Sequence, residues 1–131
     1  MNRREHMAAL LAMAAALLPA TKLRALETKM EEADPQYGLL GQMMAQPGKR
    51  TELVAILSEG TGEMPGNIAY LIGEDSTNPD AIWIVELWSD KDAHAASLQL
   101  PAVQAAIKKG RPLIVGFGQR IEFKPVASAR H

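Results

Sequence analysis

The stretch Ala81–Trp88, with the residues that follow it, constrains the fold more tightly than any other part of the chain. Ile82, Trp83, Ile84 and Val85 are β-branched or aromatic, the types that suit a pleated, half-buried strand. Directly after Trp88 comes Ser89-Asp90-Lys91-Asp92, a capping residue with a carboxylate three positions later. That is the signature of a helix start, so a strand is expected to run straight into a helix that ends near Leu98.

The neighbouring segments fit around this pair. Tyr37–Gln46 is a moderately apolar run stopped by Pro47-Gly48 and reads as a strand. Its Gly38 and Gly41 mark a bulge or a place where something comes close to the backbone. From Lys49, Leu53, Ile56 and Leu57 recur at helical spacing with Glu52 and Glu59 outward, until Gly60-Thr61-Gly62 ends the helix. Met64-Pro65-Gly66 turns the chain into a second alternating strand, Asn67–Glu74, and the polar tract Asp75–Asp80 forms a hairpin connection. Pro101 suits the first turn of a further helix, with Val103, Ala106 and Ile107 on its inner face and Gly110 and Pro112 as its stop. Gly118–Pro125 alternates again, with Ile121 and Phe123 expected inward and Arg120, Glu122 and Lys124 outward.

The order β-α-β-β-α-β is the ferredoxin-like α+β motif, a four-stranded antiparallel sheet with helices on one face. The other face needs cover, and a homodimer formed through the sheet faces is the simplest way to supply it. A domain of roughly 90 residues buries little surface alone, which points the same way. Net charge is −1, and it is balanced locally: residues 1–36 carry five basic and five acidic side chains, the remainder nine and ten. No electrostatic case exists for nucleic acid or an acidic membrane surface. With no cysteine, disulfides, thiol nucleophiles and zinc-thiolate sites are excluded.

The N-terminus begins Met1-Asn2-Arg3-Arg4 and continues as an apolar run of twelve residues, Met7–Leu18, closed by Pro19-Ala20. Residues 1–20 therefore read as a secretory signal, and Arg3-Arg4 resembles a twin-arginine export pattern. The run is shorter than the about twenty residues a membrane-spanning helix needs, so no stable membrane insertion is expected. On that reading the protein is exported or periplasmic. An alanine-rich helix packed on the domain is an alternative, as is a cytoplasmic protein starting at Met30. Residues 21–36 read as a linker or helical extension, 37–125 as the domain and 126–131 as a tail.

The phrase Trp83-Ile84-Val85-Glu86-Leu87-Trp88-Ser89-Asp90-Lys91-Asp92-Ala93-His94 resembles the core motif of the antibiotic biosynthesis monooxygenase family. In that motif a strand ending in Glu-x-Trp leads into a helix that opens with acidic residues, alanine and often histidine. Leu100-Pro101-Ala102-Val103-Gln104 matches the short break and second helix that follow, and Pro65-Gly66-Asn67-Ile68-Ala69-Tyr70 the turn into the second strand. The resemblance implies a dimeric α+β barrel that oxygenates a quinol or phenolic small molecule with dioxygen and no cofactor. Haem-degrading relatives need a tryptophan and a histidine where this chain has Ser97 and Ile107, so haem cleavage is not expected.

From the same resemblance, Trp88 is a pocket residue or a core aromatic at a strand end. Ile84 stands where anthrone-oxidising members carry a substrate-contacting asparagine, which favours a different substrate or binding without catalysis. His94 is the candidate catalytic base, since an imidazole ordinarily titrates near pH about 6.5; a solvent-exposed histidine is the plain alternative. Glu86 shares a face with Ile84 and Trp88 and needs a partner, for which Arg120 and His94 are candidates. Asn67 and Tyr70 are expected on opposite faces of their strand, so that only one of them lines a given pocket. Arg120 is either a solvated charge or a cation that holds a phenolate. Met43 and Met44 read as apolar filler. His6, His94 and His131 lack metal-ligand spacing, and neither Gly60-Thr61-Gly62 nor Gly116-Phe117-Gly118 has the context of a dinucleotide loop.

Overall fold

The structure is a computed structural model that describes residues 19–21 and 34–127. The chain divides into two units, Met1–Asp34 and Pro35–His131. Most of the first, including nearly all of the expected signal and linker, lies outside the described residues, as does the end of the tail. Among the described residues, no helix is long and apolar enough to cross a membrane.

The second unit contains β1 (Tyr37–Ala45), α1 (Arg50–Gly60), β2 (Asn67–Glu74), β3 (Ala81–Trp88), α2 (Lys91–Ser97), α3 (Pro101–Gly110), a 3-10 turn (Arg111–Leu113) and β4 (Ile114–Phe123). The sheet order is β2-β3-β1-β4 with every pair antiparallel, the ferredoxin-like arrangement expected. The strand–helix junction after Trp88 forms as read, with the cap one residue later. Asp90, not Ser89, is the capping residue, and its Oδ1 accepts from the Ala93 N–H at 2.7 Å. Gly66 meets this junction in a left-handed conformation (φ 81°), and a Cβ there would lie 2.6 Å from that of Ala93 and 2.8 Å from Ser89 Oγ.

Register decides which residues share a face. Tyr37, Leu39, Gly41 and Met43 of β1 stand opposite Trp88, Glu86, Ile84 and Ile82 of β3, all on the helix side. Two core clusters form there. Ala45, Leu53, Ile82 and Ile84 pack beneath α1, and Tyr37, Leu39 and Trp88 pack with Met64 and Ala93 near α2. Complete burial of Leu53, Ile82 and Trp88 removes large apolar side chains from water, about 1.5–3 kcal/mol for each aliphatic one.

β4 departs from the sequence expectation in two ways. It starts at Ile114, four residues before Gly118, and so includes Gly116 and Gly118. As an edge strand it pairs with β1 alone and tolerates the register shifts seen opposite Gly41–Met43 and Met44–Ala45. A Cβ on Gly118 would collide with the Gln42 side chain, so the glycine serves close packing rather than ending the element. The inward and outward assignments are also reversed. Arg120 and Glu122 pair with Gly41 and Leu39 on the helix side, while Ile121 and Phe123 pair with Leu40 and Gly38 on the helix-free face. Alternation shows which residues share a face but not which face meets the core, and both sides of this strand are partly apolar.

Candidate active site

Gly41 sits in mid-strand between the two core clusters. Nothing lies within 4 Å of where its Cβ would be. The gap is a cavity of about 180 Å³, with Gly41 as floor, Leu39, Met43, Ile84 and Phe117 as apolar wall, and Glu86, Gln42, Gln119 and Arg120 as polar lining. An enclosed apolar cavity of about 150 Å³ holds benzene; by volume this hollow has room for a single ring, but it is open to solvent on the side of Phe117, which is 72% exposed.

Glu86 is the half-buried acid of the cavity. Its side chain is 17% exposed, and Oε1 accepts from the Trp88 indole N–H at 3.1 Å. His94 Nε2 lies 3.9 Å from the same oxygen, within ion-pair reach but beyond a hydrogen bond. Burial pushes the Glu86 carboxyl above its usual range, and the indole, His94 and Arg120 oppose that shift without cancelling it.

His94 is held by rings rather than by the cavity wall. Its centroid is 5.4 Å from that of Trp88 in an edge-on arrangement and 5.6 Å from that of Tyr37. The Tyr37 hydroxyl donates to Glu122 Oε1 at 2.8 Å, and Arg120 (3.3 Å) and Lys91 (3.6 Å) approach the same oxygen. Burial and the Glu122 carboxylate raise the Tyr37 hydroxyl, while the hydrogen bond from Tyr37 and the two cations hold Glu122 below its usual range.

The six residues singled out from the sequence therefore fall into three groups. Ile84 and Glu86 line the cavity. Trp88 and His94 stand behind Glu86, Trp88 fully buried and His94 largely so. Asn67 and Tyr70 do not occur on opposite faces, because a bulge between Asn67 and Ala69 pairs them with Trp88 and Glu86, both helix-side residues. The Asn67 amide is spent on the Ala69 and Leu87 carbonyls, at 3.1 and 3.3 Å, and locks that bulge. Tyr70 packs on the α1 core cluster, and burial together with the Glu86 charge pushes its hydroxyl well above the ordinary range, so it stays a neutral phenol. Sequence reasoning missed Leu39, Gln42, Phe117 and Gln119 and dismissed Met43 as filler. Gly41 was the available signal, but only the strand register says what faces it.

A small ferredoxin-like domain with a largely apolar hollow and a half-buried, indole-bonded carboxyl group is the class that fold and site define. The family model for antibiotic biosynthesis monooxygenase matches residues 37–109. A solved structure from Chloroflexus aurantiacus, provisionally named as such a monooxygenase, is 48% identical with a TM-score of 0.70, covering 72% of this chain and 97% of its own. The chain belongs to the antibiotic biosynthesis monooxygenase family. The fold recurs in a Bacteroides thetaiotaomicron structure with the same provisional name (16% identity, TM-score 0.64, 76% of this chain and 97% of that one). It recurs also in a Pseudomonas aeruginosa protein (16%, 0.63, 71% and 96%). No curated protein matches the chain.

Proposed function

We propose that the domain is a cofactor-independent monooxygenase acting on a single-ring phenol or quinol. The observation that carries this reading is Glu86, a half-buried carboxyl of raised proton affinity that lines a largely apolar hollow and is backed by Trp88 and His94.

Glu86, with His94 behind it, accepts the phenolic proton. The phenolate passes one electron to dioxygen, and the resulting ring radical and superoxide combine to form a C–O bond. A proton returned to the distal oxygen gives a hydroperoxide. Loss of the ring C–H proton with O–O cleavage releases water and leaves a second carbonyl, so phenol plus O2 becomes quinone plus H2O. On this reading His94, which is not among the cavity's lining residues, assists the carboxylate, in place of the direct base expected from the sequence.

The protein acts as a homodimer on this reading. Leu71, Ile121 and Phe123, which are 62%, 46% and 39% exposed on the helix-free face, are the surface a second copy would cover. Binding without turnover is the second reading, favoured by the apolar Ile84 in the cavity wall. Oxygen uptake with a panel of phenols, naphthols and quinols in metal-free buffer separates the two. Uptake with a quinone product by mass spectrometry is expected, and ring binding with no uptake across the panel would overturn the oxygenase reading.

A further inference from the structure

Arg120 is a cation with little committed work. It lies on the cavity wall, opposite Gly41 in the β1–β4 register. Its side chain is 60% exposed, and its one ion-pair partner among the described residues is Glu122 Oε1, approached by Nη1 at 3.3 Å. No ion pair joins it to Glu86 among those residues, although both line the same cavity.

Glu122 does not depend on Arg120. The Tyr37 hydroxyl and Lys91 already serve the same oxygen. Two cations, Lys91 and Arg120, therefore share one carboxylate, and of the two only Arg120 also lines the cavity. Nothing lies within 4 Å of where a Gly41 Cβ would be, so the strand position opposite Arg120 is open. A guanidinium presents paired N–H donors in a rigid fork that matches a carboxylate.

We propose that Arg120 is the specificity-determining residue of the cavity, and that it selects single-ring phenols bearing a carboxylate over neutral quinols. Glu122 is the positioning residue that parks the guanidinium until the anion arrives. This inference rests on the cavity being the substrate site of the reading above.

Calorimetric titration of the full chain, without oxygen so that nothing is consumed, compares 4-hydroxybenzoate with hydroquinone. The carboxylate probe is expected to bind about tenfold more tightly or better, with a preference that shrinks as salt is added. Arg120→Gln weakens 4-hydroxybenzoate far more than hydroquinone and so removes the preference, and Arg120→Lys keeps part of it. Glu122→Gln frees the guanidinium and increases the preference. Equal affinity for the two rings, equal loss of both in Arg120→Gln, or binding of neither ring overturns the proposal. Charge-dependent binding without oxygen uptake overturns the oxygenase reading alone. Uptake of neutral quinols with no charge preference overturns the anchor alone.

Discussion

Strand β3 carries both tryptophans of the chain, and each indole N–H is donated to a carboxylate, with opposite results. Trp83 bonds Asp75 Oδ2 at 2.8 Å in the β2–β3 connection. Asp75 also accepts from the Thr77 and Asn78 N–H groups at 2.9 and 2.8 Å and from the Thr77 hydroxyl at 3.0 Å. Those donors hold its carboxyl far below the usual range. Trp88 gives Glu86 a single bond at 3.1 Å in a buried place, and there the carboxyl rises instead. An acid surrounded by donors is a structural tie, whereas one left short of donors keeps an appetite for a proton. The number of donors and the access of water decide the difference, not the Trp–acid pair itself.

The comparison can be tested from either side. Trp88→Ala should do the greatest damage, because a fully buried indole is lost together with the one side-chain hydrogen-bond donor to Glu86 among the described residues. A cost of about 3–5 kcal/mol in denaturant titration is expected, a large share of a small domain's stability. Trp88→Phe keeps most of the packing and isolates the N–H; the Glu86 carboxyl should then rise further, visible in its pH titration by NMR. Retained stability in Trp88→Ala would mean that the indole is not the structural support described.

Glu86→Gln should lower oxygen uptake by a factor on the order of 10² while preserving the fold. It should also flatten a pH trend. The folded Glu86 holds its proton above the ordinary 4.5, so between that value and its raised pKa the native state binds more protons than the unfolded one. Stability conferred by the protonated form is complete at low pH and falls as pH rises through this window. Thermal melts across the range should show the decline in the wild type and lose it in Glu86→Gln.

His94→Ala should reduce uptake by less, on the order of tenfold, and alter the pH profile without abolishing turnover, because a carboxylate still faces the ring. Loss equal to that of Glu86→Gln would return the imidazole to the role of direct base. Asp75→Asn should have the smallest effect, a modest drop in Tm with oxygen uptake unchanged. Asp75 carries the opposite sign in pH: its contribution is present above the unfolded value of 3.8 and is lost as pH falls below it. The Asp75→Asn melt should therefore approach that of the wild type in acid.

Much of the scaffold was legible without coordinates. The β-branched run of β3, the capping residue after it, Pro101 at a helix start and the Gly60 and Gly110 stops all act through local backbone preference, so they announce themselves in order along the chain. The sequence offered Arg120 and His94 as alternative partners for Glu86, and among the described residues His94 is the one that comes within ion-pair reach. Where strands carry bulges, that local arithmetic fails. One extra residue at Asn67–Ala69 changes the face of Asn67 relative to Tyr70, and the shift opposite Gly41 gives β4 a register that alternation alone could not reveal.

The chain by itself determined the element order, the junction that presents Glu86, Trp88 and His94 together, and the family to which these motifs belong. Only the tertiary structure decided that Gly41 leaves a hollow, that Arg120 is among the residues lining it, and that Glu86 rather than His94 meets that space. The physical reason is that propensity and capping depend on neighbours in sequence. A cavity and the charge facing it depend on strand register, which is set by pairings between residues far apart in the chain.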